Sequence, residues 1–123
     1  MKIYTKHFPL NFKIDVVDFK YEVDSKDKVV VAIMKIALPT FVTQYSRNYV
    51  VKGIARLKPG DIFNAETGKK VAKAKVERAA FSLYRVKLRE YRKDLREILK
   101  ATEVTYNKMC DYITKQEDYI KSF

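Results

Sequence analysis

RLKPGDIFNAETGKKVAKAKVERAAF, Arg56 to Phe81, divides this 123-residue chain into two kinds of sequence. Before it lie β-branched and aromatic runs broken by Pro, Asp and Asn. After Gly68 there is neither Gly nor Pro to the C-terminus. Within the stretch, KPGD reads as a turn, with Pro59 fixing φ and Gly60 tolerating a positive φ after it. Asn64 has the chemistry of a helix N-cap, and Glu66 in the first turn is favoured by the helix dipole. Asp61, Asn64 and Glu66 also offer three oxygens to a cation, but the other positions of a calcium loop are missing and capping is the better account. Gly68 falls in the first helical turns, where it costs roughly 1 kcal/mol against Ala. Close approach of the helix to a sheet would offset that cost. The segment launches a helix.

With no breaker from Lys69 onward, that helix can run to the C-terminus, on the order of 80 Å at 1.5 Å per residue. In its first part, VAKAKVERAAF is apolar on more than one side, which suits a helix lying on a sheet. Further along, apolar residues recur at intervals of three and four: Phe81, Tyr84, Leu88, Tyr91, Leu95, Ile98, then Thr102, Thr105, Met109 and Tyr112. Leu88, Tyr91, Leu95, Ile98, Met109 and Tyr112 form a candidate helix interface, while Tyr84 and Tyr91 read as core or interface residues. The seam weakens at the two threonines. Thr and Val are poorer helix formers, so a break or helix–helix junction is predicted near residues 100–104.

The segments upstream read as strands. Phe12–Val23 alternates partially and reads as one or two strands, Asp24–Lys28 is a polar turn, and Val29–Leu38 is a β-branched run long enough for a buried strand, although periodicity alone does not exclude a helix. Arg47–Leu57 sorts Tyr49, Val51, Gly53 and Ala55 onto one face, and Val50, Lys52, Ile54 and Arg56 onto the other. Residues 39–46 connect these two runs as a loop or irregular edge. The predicted fold is α+β: a small, mostly antiparallel sheet of three or four strands followed by a long basic C-terminal helix. Length suits a single domain, with a β-rich part over residues 1–58 and a helical part over 64–122.

The chain carries 26 basic and 15 acidic residues, a formal charge of +11. Of these, 12 basic and 4 acidic residues fall in residues 69–100, whereas residues 101–123 hold 3 and 4. At 100° per residue, Arg78, Arg85, Arg89, Arg92, Arg96 and Lys100 lie within roughly 80° of one another beside the apolar seam. Glu90, Asp94 and Glu97 gather elsewhere. A helix made only for solubility would intermix the signs. Arginine favours planar, bidentate partners, so the stripe fits phosphate or carboxylate recognition.

Two functional readings follow. In one, the stripe tracks a nucleic-acid backbone, and Lys69, Lys70, Lys73 and Lys75 extend the footprint. In the other, it docks on an acidic host protein or nucleoprotein. The purely structural alternative pairs the arginines with Asp15, Asp18, Glu22, Asp24 or Asp27. Among the nine tyrosines, Tyr45 and Tyr49, near Arg47, are the better candidates for stacking on bases.

Nothing in the chain suggests catalysis, a cofactor or a metal. His7 is the only histidine, near an N-terminus expected to be mobile, and has no second His or Cys beside it. Cys110, beside Met109 and Ile113, reads as a buried structural thiol and not as a nucleophile. Three glycines leave no phosphate loop. Asp15 and Asp18, three apart, are expected on opposite strand faces, which disfavours a shared metal. One cysteine and no signal-peptide pattern point to a cytoplasmic protein, and no apolar run is long enough to span a membrane.

The strand and corner VVKGIARLKPGDIFNAETGKKVAKAKVERA resembles a pattern in small bacteriophage proteins: strand, turn with an acidic residue, Phe, helix cap, then Gly and small residues. The resemblance covers about residues 28–80 and rests on Asp61, Phe63, Asn64, Glu66, Gly68 and Ala72. This chain departs from the pattern in its longer connection at 39–46 and its extended C-terminal helix. The family has no settled activity, so no catalytic residue is carried over. What the resemblance implies is a phage or prophage origin, acting in the host cytoplasm. Accessory, host-takeover or counter-defence proteins, including inhibitors of the anti-CRISPR type, are then expected. An inhibitor or oligomeric scaffold would use the apolar helix seam, through a protein partner or a second copy of the chain.

Overall fold

A computed structural model describes residues 2–3, 12–43, 48–58 and 60–123. His7, Tyr45, Arg47 and Pro59 lie outside the described residues. The fold is α+β. Strands β1 (Lys2–Ile3), β2 (Ile14–Asp24), β3 (Val29–Ala37) and β4 (Asn48–Arg56) form an antiparallel sheet in the order β1-β2-β3-β4, and α1 follows as Ala65–Lys121. Each strand therefore pairs with its neighbour in sequence.

The β2–β3 hairpin turns at the polar stretch expected. Asp24 Oδ1 accepts the amides of Lys26 and Asp27 at 3.0 Å each. Those amides, Asp27's foremost, hold the Asp24 carboxyl below its ordinary range. Lys28 closes the turn with φ of 55°.

Val29–Ala37 forms the third strand, in which burial alternates as far as Ile36 and the terminal Ala37 is buried as well. Val30, Ala32, Met34 and Ile36 face α1, whereas Val29, Val31 and Ile33 are half-buried on the other side and Lys35 is exposed. In β4 the two faces fall as the sequence predicts, with Gly53 and Ala55 buried and Val50, Lys52, Ile54 and Arg56 exposed. One expectation fails in β2. The register slips between Val16 and Asp18, so that Asp15 pairs with Ala37 and Asp18 with Lys35. The bulge inserts one extra residue and shifts the two-residue period. Asp15 and Asp18 consequently share a face. Among the described residues no group of three His, Cys, Asp or Glu side chains is placed to hold a metal.

The corner at Asn64 is built as a cap. Asn64 Oδ1 accepts the amides of Glu66 and Thr67 at 3.0 and 3.3 Å, and its carbonyl accepts the Gly68 amide at 2.9 Å. That occupies the oxygen otherwise available to a cation. From there every fourth residue meets the sheet: Gly68, then Ala72, Val76, Ala80 and Tyr84, the last four buried. Small side chains bring the backbones together. A Cβ on Gly53 of β4 would lie 2.4 Å from both Ala72 O and Val76 N, and one on Gly68 would lie 2.7 Å from Val30 Cγ2. Ile14, Val30, Met34, Ile36, Leu38 and Val76 complete the core. Each contributes about 1.5–3 kcal/mol by burial.

Tyr84 is 4% exposed and its hydroxyl donates to the Phe12 carbonyl at 2.8 Å. Burial pushes its pKa above the ordinary 10.0. A phenol whose pKa rises on folding contributes stability that is complete below the unfolded value and lost as pH climbs through the folded one. Tyr84→Phe is expected to cost about 0.5–1.5 kcal/mol near neutral pH by orphaning the carbonyl. It should also flatten the loss of stability above about pH 10, measured by urea unfolding across pH.

The chain divides into two units, Met1–Leu88 and Arg89–Phe123. The division falls inside α1 and not at the β/α boundary. The break predicted near residues 100–104 is absent, because α1 runs unbroken to Lys121. Thr102 and Thr105 donate their hydroxyls to the Ile98 and Ala101 carbonyls, at 2.7 and 2.8 Å. The hydroxyls are thus satisfied on the helix itself, and neither Thr nor Val removes a backbone N–H.

Candidate nucleic-acid interface

Within the first unit, Arg78 and Arg85 are exposed. By the helical period they lie roughly opposite Ala72, Val76, Ala80 and Tyr84, on the side of α1 turned from the sheet. They line a shallow open depression with Ala74, Glu77, Phe81 and Ser82. Lys20–Glu22 and Lys69–Glu66 form ion pairs, and neither involves arginine. Pairing of Arg78 or Arg85 with Asp15, Asp18, Glu22, Asp24 or Asp27 is not seen among the described residues of this unit.

The four lysines divide into two groups. Lys75 Nζ donates to the Ile54 carbonyl at 2.9 Å, and so ties α1 to β4. Lys69 lies 5.7 Å from the Tyr21 ring centre and 3.8 Å from Glu66. Both have work within the fold. Lys70 and Lys73 are exposed.

In the second unit Arg89, Arg92, Arg96 and Lys100 are all exposed. Their spacing of three and four places successive members about 5–6 Å apart along one side. Glu90, Asp94 and Glu97 follow the same spacing roughly a third to half a turn away round the helix. The result is a track of positive charge with acidic groups on another side.

The seam residues separate by unit. Leu88, in the first unit, is half-buried. In the second, Tyr91 is half-buried while Leu95, Ile98, Met109 and Tyr112 are exposed. Cys110, expected to be buried, is exposed like Met109 and Ile113 beside it, because nothing in its own unit covers them. Tyr49 is less available for stacking than the sequence suggested. It is half-buried, with Lys87 Nζ 5.6 Å from its ring centre.

Sequence reasoning did not anticipate how wide the apolar surface is. Leu99, Tyr106 and Ile120 are 60%, 68% and 67% exposed. They recur at seven-residue multiples beside the seam, a signal that was readable. Among the described residues no helix is long and apolar enough to cross a membrane. No protein family, curated protein or solved structure matches the chain.

Proposed function

We propose that this chain is a non-catalytic, phage-type accessory protein that binds nucleic acid, or a nucleic-acid-bound host complex, through the basic residues of α1. The observation that carries the proposal is the exposure of Arg78, Arg85, Arg89, Arg92 and Arg96, none of which forms an ion pair among the described residues. Guanidinium groups in steps of one or two turns, with Glu90, Asp94 and Glu97 held to another side, suit a polyanion better than a mixed-charge protein surface. The net charge of +11 favours the encounter. Lys70, Lys73 and Lys100 add non-specific contacts. The resemblance of the strand-to-helix corner to phage proteins supports the accessory role. A protein-contact reading, as inhibitor or scaffold, draws on the exposed seam and not on the arginines.

The test is fluorescence anisotropy of labelled duplex DNA, single-stranded DNA and RNA of mixed sequence, titrated at several salt concentrations. Binding in the micromolar range at about 50 mM salt is expected, falling at least a hundredfold by about 200 mM if five or more phosphates are contacted. Absence of binding to all three at low salt would remove the nucleic-acid reading.

A further inference from the structure

We propose that the second unit of α1 pairs with the same segment of a second copy of the chain as an antiparallel two-helix interface, its two-fold axis level with Glu103 and Val104. The starting observation is surface. Leu95, Ile98, Leu99, Tyr106, Met109 and Ile113 are 44–68% exposed and share one side of a single helix. A soluble monomer rarely leaves more than a few hundred Å² of contiguous apolar surface, and helices of this kind draw most of their stability from packing. The period identifies the type of cover. Leu95, Thr102 and Met109 repeat every seven residues, as do Tyr91, Ile98, Thr105 and Tyr112. That repeat is the one by which helices pack on helices in register. The two threonines bring no unmet donor into the seam, since both hydroxyls are already bonded to their own helix.

Charge selects the direction. Beyond Arg92 at its N-terminal end, one flank of the seam carries Leu99, Tyr106, Ile113 and Ile120, and the other carries Asp94, Ala101, Lys108 and Lys115. Lys115 Nζ sits 6.0 Å from the Tyr112 ring centre, at the seam's rim. In a parallel pair each flank faces the opposite flank of its partner, so charged residues would meet apolar ones. In an antiparallel pair like flank faces like flank. Asp94 then meets Lys115 of the second copy, twice by symmetry, Ala101 meets Lys108, and Leu99 meets Tyr106. The same arrangement seats Leu95 on Tyr112, Ile98 on Met109, and the threonines on each other. Sliding one heptad in one direction sets Lys108 against its own copy. Sliding the other way seats Leu95 and Ile98 on the threonines. One register satisfies both seam and flank. It also sets residues 89–100, with five basic and three acidic groups, beside residues 101–123, with three and four.

The experiment uses the 123-residue chain with Cys110→Ser, without nucleic acid, so that its outcome is independent of the nucleic-acid reading. Sedimentation equilibrium should show the mass rising towards twice the 14.5 kDa of one chain. A monomer throughout, to about 100 μM, would overturn the proposal. Direction is read by mixing Asp94→Cys protein with Lys115→Cys protein and adding a short bis-maleimide. The mixture should cross-link between chains and each protein alone should not, because like positions lie about 30 Å apart in this register. Self-cross-linking of Asp94→Cys would indicate parallel helices, and no cross-link in the mixture would exclude the register. Finally, Asp94→Lys should weaken association about tenfold, and adding Lys115→Asp should restore it. Circular dichroism would show both variants to be folded, and failure of the second change to rescue would overturn the pairing.

Discussion

Gly53→Ala is expected to destabilise the chain by about 3 kcal/mol or more, at or beyond the upper end of ordinary overpacking. The added methyl would stand 2.4 Å from the Ala72 carbonyl oxygen, 2.4 Å from the Val76 nitrogen and 2.9 Å from the Lys75 carbonyl carbon. All three are backbone atoms of a helix, so no side-chain rotation relieves them and α1 must lift from β4. Lifting exposes Ala72, Val76 and Ala80, which are fully buried, and strains the bond from Lys75 to the Ile54 carbonyl. Thermal unfolding should register a fall on the order of 10 °C. The other glycines serve as internal controls. At Gly68 the obstacle is the Val30 side chain, and a gain of roughly 1 kcal/mol in helix propensity offsets part of the clash. Gly60 has open space around it and only its φ of 90° to lose, a cost of about 1–3 kcal/mol. If Gly53→Ala proved as mild as these, α1 would not be seated on β4 at that point.

The same glycines show what could be read from sequence and what could not. Gly68 was legible because a glycine in a capped first turn needs a reason, and close packing on a sheet is the usual one. Gly53 was placed on the core face by two-residue alternation, but its partner across 19 or more residues of chain was not a pattern that periodicity records. The bulge in β2 was visible only as imperfect alternation in Phe12–Val23. Nothing local distinguishes an extra residue from an ordinary polar intrusion, and so plain two-residue alternation puts Asp15 and Asp18 on opposite faces where the shifted register puts them on one. The expected break at residues 100–104 failed for another reason. Propensity counted Thr as a weak former, while the hydroxyl bonds that accommodate it depend on geometry. The basic track was legible throughout, since it follows from spacing alone. What separated Lys69 and Lys75 from Lys70 and Lys73 was the position of Tyr21 and of the Ile54 carbonyl, which no helical wheel contains.

Replacing Arg89, Arg92 and Arg96 together by Gln is expected to weaken nucleic-acid binding on the order of a hundredfold near 0.15 M salt, while leaving the fold intact. The estimate follows from counterion release, in which each lost phosphate contact removes about 0.9 from the slope of log affinity against log salt, about 2.7 for three. All three side chains are exposed and none is ion-paired among the described residues, so circular dichroism and thermal midpoint should barely move. Single replacements should each take about a third of the slope, because independent phosphate contacts add. The Lys triple variant separates two ways of using the same charge. A backbone-tracking surface needs only the positive charge, so Lys should keep the slope and most of the affinity. Planar recognition of paired oxygens needs the guanidinium fork, and Lys would then fail almost as badly as Gln. Retention of the full slope in the Gln triple would mean that these arginines touch no phosphate, and would leave Lys100 and the first unit's Lys70, Lys73, Arg78 and Arg85 to make any nucleic-acid contact.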